Sequence, residues 1–208
     1  MTTPNPITQP PQYDPQKVEY ISTRPQKPIE IVDPNPTWPA TFTQISQLIR
    51  SALAPEAEAE DPIPFLLSIE HVGSTSVPGL PAKDIIDIDV LVADPGAENR
   101  YVPALEAAGF QFLIREEEWH RHRLLGLETP YVNLHVFGPE SLEAIRHRLF
   151  RDWLRTHPED RDRYASVKRE AAAESRRMGE TTMQYTDRKD QVIREILRKA
   201  YEANKMLG

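Results

Sequence analysis

Two short apolar runs, Phe65 to Val72 (FLLSIEHV) and Ile85 to Val92 (IIDIDVLV), enclose the segment Gly73 to Asp84 (GSTSVPGLPAKD). A Gly-Ser pair followed by Pro-Gly and a further proline marks a turn. The runs on either side, the second rich in β-branched residues, therefore read as strands. Strand side chains alternate, so Ile86, Ile88 and Val90 take one face of the second strand while Asp87 and Asp89 project together from the other. Any fold for this chain must accommodate a strand with one apolar and one acidic face.

The remaining pattern mixes periods. Phe42, Ile45, Ile49 and Leu53 recur at helical spacing, which predicts an amphipathic helix from Trp38 to Leu53. A helix over Glu98 to Ala108 is expected to stop at Gly109. Phe110 to Ile114, Trp119 to Leu125 and Tyr131 to Phe137 read as three more strands. After Gly138-Pro139 the period becomes helical throughout. Leu142, Ile145, Leu149 and Trp153 mark one helix, Tyr164, Val167 and Ala171 a second, and Val192, Ile193, Ile196, Leu197 and Ala200 a third. The expected class is mixed α/β (α+β): a small mixed sheet of four or five strands to about residue 138, flanked by helices, then a helical segment over 139–208.

Proline divides the chain unevenly, with ten of the 20 prolines in the first 39 residues. Residues 1–26 accordingly read as a flexible Pro-rich arm whose removal is expected to be neutral, and 27–208 as the domain. Within the Pro-rich segment only Pro28 to Val32 looks like an edge strand. Pro55 to Pro62, acidic and bracketed by prolines, reads as an exposed loop.

Composition narrows the function classes. Cys is absent, which removes disulfides, thiolate zinc sites and cysteine nucleophiles. Lys plus Arg is 25 against 32 Asp plus Glu, a net charge of -7 that argues against non-specific nucleic-acid binding. No run approaches the ~18 apolar residues of a membrane span, and the first residues lack a signal-like pattern, so a cytoplasmic, membrane-free protein is expected.

Chemistry concentrates in the turn and the acidic strand. Two adjacent carboxylates repel unless a cation sits between them, and Mg²⁺ takes oxygen ligands while keeping waters that a phosphate can displace. Gly73, Ser74 and Thr75 offer close backbone approach and hydroxyls to phosphates. A Gly-Ser turn followed about a dozen residues later by Asp-apolar-Asp matches the nucleotidyltransferase signature. A hydrolase triad of Ser74, His71 and Asp87 is disfavoured because no G-x-S-x-G pattern surrounds Ser74.

The sequence resembles the GrpB family, a branch of the DNA polymerase beta-like nucleotidyltransferases, through GSTSVPGLPAKDIIDIDV (73–90), NLHVF (133–137), FRDWLRTHPEDRDRYASVKRE (150–170) and YTDRKDQVI (185–193). The resemblance spans roughly residues 28–204. It implies attack of an unknown small-molecule or protein acceptor on the α-phosphorus of an NTP, ATP in the first instance, with Mg²⁺ or Mn²⁺ held by Asp87 and Asp89. Lys83, Lys168 and Lys189 become candidates for triphosphate contacts. Where active superfamily members carry a third carboxylate on a later strand, this chain offers His135, as a metal ligand, a general base, or a side chain that only hydrogen-bonds within the sheet. Asp84 departs from the family's proline after the lysine and adds a further acid nearby. The rival readings are a nucleotide-binding or scaffold module without transfer, with a link to CoA metabolism, and a metal-dependent phosphohydrolase. His120 and His122, set among Arg115, Arg121 and Arg123, form a second and weaker candidate for metal or anion binding, and Tyr185 one for stacking on a base.

Overall fold

The computed structural model describes residues 5–9, 14–57 and 65–206. Its elements are β1 (Glu19–Tyr20), α1 (Trp38–Ala57), β2 (Leu66–Val72), β3 (Ile86–Val92), α2 (Val102–Ala107), β4 (Gln111–Glu116), β5 (His122–Leu127), β6 (Val132–Phe137), α3 (Leu142–Thr156), α4 (Pro158–Met178) and α5 (Thr182–Ala203). The six strands lie in the order β1-β4-β5-β6-β3-β2. Among the described strands only the β3–β6 pair is parallel. Among the described residues no helix is long and apolar enough to cross a membrane.

Alternation on β3 sets the layers. Ile86, Ile88, Val90 and Val92 are buried against Ile45, Ile49 and Leu53 of α1 and Leu105 of α2. Each such side chain, withdrawn from water, contributes about 1.5–3 kcal/mol. Asp87 and Asp89 face the other side, where α3, α4 and α5 gather. The turn between β2 and β3 is tied into those helices: Val77 and Leu80 pack with Leu154, Tyr164, Ala165, Val192 and Ile196. One apolar cluster therefore joins the Gly-Ser turn to the helical tail.

Several expectations shift for identifiable reasons. The helix foreseen from Glu98 is a 3-10 turn followed by a short α2, because Pro103 sits at the start of α2 and Tyr101 lies between the two with φ -137°. The strand foreseen from Trp119 begins only at His122, since His120 and Arg121 adopt positive φ, which an extended ladder excludes. Pro28 to Val32 forms no strand, only an isolated bridge between Val32 and Ala82. Pro28 supplies no N–H for a ladder. α1 runs to Ala57, and the rest of the acidic loop lies outside the described residues. α5 starts ten residues before Val192, at a capping box between Thr181 and Gln184.

Within the first 26 residues, the described ones, 5–9 and 14–26, also differ from a free arm. Ile7 is 4% exposed, and Arg146 of α3 donates to the carbonyls of Ile7 (3.0 Å) and Gln9 (3.0 Å). Glu19 and Tyr20 pair with Arg115 and Ile114 on β4. Arg24 donates to the carbonyls of Leu127 (2.6 Å) and Val132 (2.7 Å). Truncation to residue 27 should therefore lower the urea midpoint, the lost unfolding free energy including about 1.5–3 kcal/mol from Ile7 alone. An unchanged midpoint would return this segment to a free arm.

Candidate functional site

The turn after β2 is built around a contact that only glycine permits. Gly73 has φ +66°, and a β-carbon there would lie 2.3 Å from Asp87 Oδ2. The next residues form one 3-10 turn, Ser74–Ser76, in which Ser76 Oγ donates to Gly73 O at 2.6 Å. Arg155 of α3 closes the turn by donating to Ser76 O at 3.1 and 2.8 Å. Thr75 is occupied structurally: its hydroxyl donates to Ile85 O at 3.0 Å and so accepts from His71 Nε2 at 3.1 Å. Burial, together with Arg155 and Arg151, pushes His71 down to about 4, so its imidazole is neutral. His71 faces Thr75, which leaves no triad with Ser74.

On the helical side of the sheet this turn borders a cavity of about 210 Å³, lined by Ser74, Thr75, Lys83, Asp87, Asn133 and Lys168, and from α5 by Thr182, Tyr185, Thr186 and Lys189. Thus the turn, the strand carboxylate and all three candidate lysines meet in one place. Asn133 is fixed there by Arg24, which donates to its Oδ1, so that its Nδ2 donates to Asp87 Oδ1 at 2.7 Å. Burial raises the proton affinity of Asp87, while the Asn133 hydrogen bond and the charges of His147 and Lys83 oppose that rise.

The lysines carry the electrostatic message. Lys168 is 2% exposed, and its Nζ is buried without a hydrogen-bond partner among the described residues, 4.9 Å from the centroid of the Tyr164 ring. Burial first, then Lys189, push its pKa well below the usual lysine range. Burial and Lys83 bring Lys189 down to about 8, with its Nζ 4.1 Å from the Tyr185 ring centroid. Burial also lowers Lys83. Three ammonium groups confined with one carboxylate hold each other's protons loosely. An anion in the cavity would supply the missing partner for Lys168 and reverse that destabilisation. Phosphate, with several strong acceptor oxygens, suits three lysines and a Gly-Ser turn.

The other expected residues lie apart. Asp89 is 1% exposed and accepts from His147 Nδ1 of α3 at 3.0 and 3.1 Å. His147 is held up at about 9: burial opposes its proton, and Asp89 outweighs burial through charge and hydrogen bonding. His135, beside Asp89 in register, shares a 3.0 Å hydrogen bond through Nδ1 with His122 Nε2. His122 Nδ1 lies 2.5 Å from Glu116 Oε2. Burial drives both imidazoles down to about 3, so they are neutral. Asp84 turns away to Trp38 Nε1 at 2.8 Å and to Lys27. Arg115, Arg121 and Arg123 are each paired with glutamate, so β5 offers no open basic strand.

Among the described residues no three carboxylates or imidazoles converge as a metal site, so Asp87, Asp89 and His135 do not fit one shared ion. Mg²⁺ needs only one or two carboxylates when phosphates supply the rest. Asp87, on the cavity wall, fits that role, whereas Asp89 is committed to His147. Arg24, His147, Thr182 and Thr186 escaped the sequence reading. The T-x-x-Q capping box at Thr181 was the available signal for the α5 residues. Nothing local signals Arg24 or His147.

The family model described as GrpB protein matches residues 28–199. A UPF0157 protein of Halalkalibacterium halodurans is 42% identical over 172 residues, covering 83% of this chain and 82% of that one. One from Pseudomonas aeruginosa is 38% identical over 201 residues, covering 95% and 76%. A protein of Mycolicibacterium paratuberculosis named dephospho-CoA kinase is 30% identical, and the matched region covers 88% of this chain but only 49% of that one. The crystal structure of a conserved GrpB protein from Enterococcus faecalis superposes with a TM-score of 0.69 at 25% identity, covering 84% and 99%.

Two measurements test this geometry. Asp89→Asn should cost about 1–3 kcal/mol in urea unfolding, because it strips the His147 imidazolium of its nearer counter-ion and leaves only Glu143 at 3.6 Å, yet leave tripolyphosphate affinity intact. Asp87→Asn should retain metal-free tripolyphosphate binding and lose any gain brought by Mg²⁺. Identical behaviour of the two variants would dissolve the distinction between these carboxylates. Separately, tripolyphosphate affinity should fall as pH rises through about 8, where Lys189 sheds its proton. Lys189→Arg should shallow that fall, since guanidinium stays charged. A flat calorimetric pH profile in the parent would remove Lys189 from the anion site.

Proposed function

The chain belongs to the GrpB family, and from that premise we propose that it binds a nucleoside triphosphate in the lysine cavity and transfers the nucleotidyl group to an acceptor. The observation that carries the binding half is Lys168, a buried amine without a hydrogen-bond partner, turned to the same cavity as Lys83, Lys189 and the Gly-Ser turn. Burying an unpaired ammonium is costly, and an anionic ligand removes that cost.

The residues divide the work. Ser74 and the backbone of the turn hold phosphate oxygens, and the three lysines offset the charge that develops on the departing pyrophosphate. The acceptor atom attacks the α-phosphorus as the bond to the bridging oxygen breaks, pyrophosphate leaves, and any proton on the acceptor passes to solvent or to Asp87 at the sheet end of the cavity. A divalent cation held by Asp87 and the phosphates, Mg²⁺ or Mn²⁺, would supply further charge neutralisation. Asp89 and His135 act from behind: the Asp89–His147 pair anchors α3, and the His135–His122 bond ties β6 to β5.

A second reading keeps the binding and drops the transfer. The engagement of Asp89 by His147 favours it, since the acidic pair is then reduced to one available carboxylate. The acceptor is a small molecule or a protein. The relative named dephospho-CoA kinase, of which this chain matches about half, favours coenzyme A precursors as acceptors to try first.

The test is an incubation with ATP labelled at the α-phosphate, with metal and a metabolite extract. Transfer predicts pyrophosphate release and label in a new compound, both lost in Lys168→Met. Binding without pyrophosphate would establish the module, release of orthophosphate a hydrolase, and absence of binding would sink the proposal.

A further inference from the structure

The lysine cavity, at about 210 Å³, is smaller than the ~300–1,000 Å³ of a usual small-molecule site. A second groove of about 570 Å³ adjoins it, and the two share Asn133, Thr182 and Thr186 on their common rim. This groove runs between β1, β4 and the start of α5. Its walls include Leu113, Leu124, Tyr20 and Met183. Tyr20 is 63% and Met183 53% exposed, so two large apolar side chains stand open to solvent at one site.

The groove's polar chemistry differs from that of the cavity. Its cation, Arg24, is spent on the carbonyls of Leu127 and Val132 and on Asn133. Asp187 lines the same space and repels anions. The hydroxyls of Thr23 and Thr182 can donate or accept, and those of Ser22 and Thr186, whose protons go to Phe112 O and Thr182 O, can still accept from an uncharged polar partner. A site with two open apolar side chains, several hydroxyls, an acid and no uncommitted cation suits an aromatic ring carrying a hydroxylated sugar.

We infer that this groove is the nucleoside subsite of the ligand whose phosphates fill the lysine cavity, with the base against Tyr20 and Met183 and the ribose at the threonine rim. The inference rests on the phosphate reading of the cavity. Base stacking on an aromatic side chain is worth enough to change affinity about ten-fold. The segment before residue 27 then forms part of the binding site through Tyr20.

The experiment is calorimetric titration of the full chain with ATP and, separately, inorganic tripolyphosphate at one Mg²⁺ concentration, in the parent, in a Tyr20→Ala/Met183→Ala double variant and in Lys168→Met. Both groove substitutions are at exposed positions, and tripolyphosphate binding serves as the control for an intact fold. The parent should bind ATP about ten-fold more tightly than tripolyphosphate. The double variant should bring ATP to the tripolyphosphate level and leave tripolyphosphate unchanged, while Lys168→Met weakens both. Equal affinities for the two ligands in the parent, or unchanged ATP affinity in the double variant, overturn the groove assignment while the phosphate site stands. No tripolyphosphate binding by the parent overturns the phosphate reading and this inference with it.

Discussion

The contact of Gly73 with Asp87 is the point from which the site is assembled. A carboxylate oxygen occupies the space where any other residue would carry its β-carbon, so the end of β2 and the start of β3 close on each other without an intervening side chain. The turn that results is too tight to hold itself. It is braced by Ser76 on Gly73 O, by Arg155 of α3 on Ser76 O, and by Thr75 between His71 and Ile85. Val77 and Leu80 then reach into the apolar cluster of α3, α4 and α5. The same turn thus determines where the helical tail sits, and with it where Lys168 and Lys189 stand relative to Asp87.

The polar face of the sheet is divided by charge. Toward the turn, three lysines crowd one carboxylate and leave positive charge unbalanced. Away from it, Asp89 and His147 balance each other, and Glu116, His122 and His135 form a hydrogen-bonded row whose two imidazoles are neutral. Only the first arrangement asks for a ligand. Because their partners differ, Asn133 for Asp87 and His147 for Asp89, two aspartates two positions apart on one strand have different roles.

The N-terminal segment joins these features from outside the helical layer. Arg24 fixes the orientation of the Asn133 amide: a guanidinium on Oδ1 leaves Nδ2 for Asp87. A proline-rich composition says little about such a contact. It requires only one long side chain and carbonyls at the ends of β5 and β6 to receive it.

Alternation and helical period within the chain determined the strands β2 and β3, the shared face of Asp87 and Asp89, the apolar face that meets α1, and the three C-terminal helices. These follow from side-chain direction along a single element, which local sequence encodes. The short phrases around residues 73–90, 150–170 and 185–193 likewise carried the family and the three lysines. The tertiary structure alone decided that Lys83, Lys168 and Lys189 share a cavity with Asp87, and that His147 takes Asp89. It also decided that His135 pairs with His122, and that Arg24 reaches Asn133. His147 is 58 positions from Asp89, and Arg24 is 109 from Asn133. No periodicity links residues so far apart. Their meeting depends on which apolar surfaces pack together, and the charge each group finally carries depends on how deeply that packing buries it.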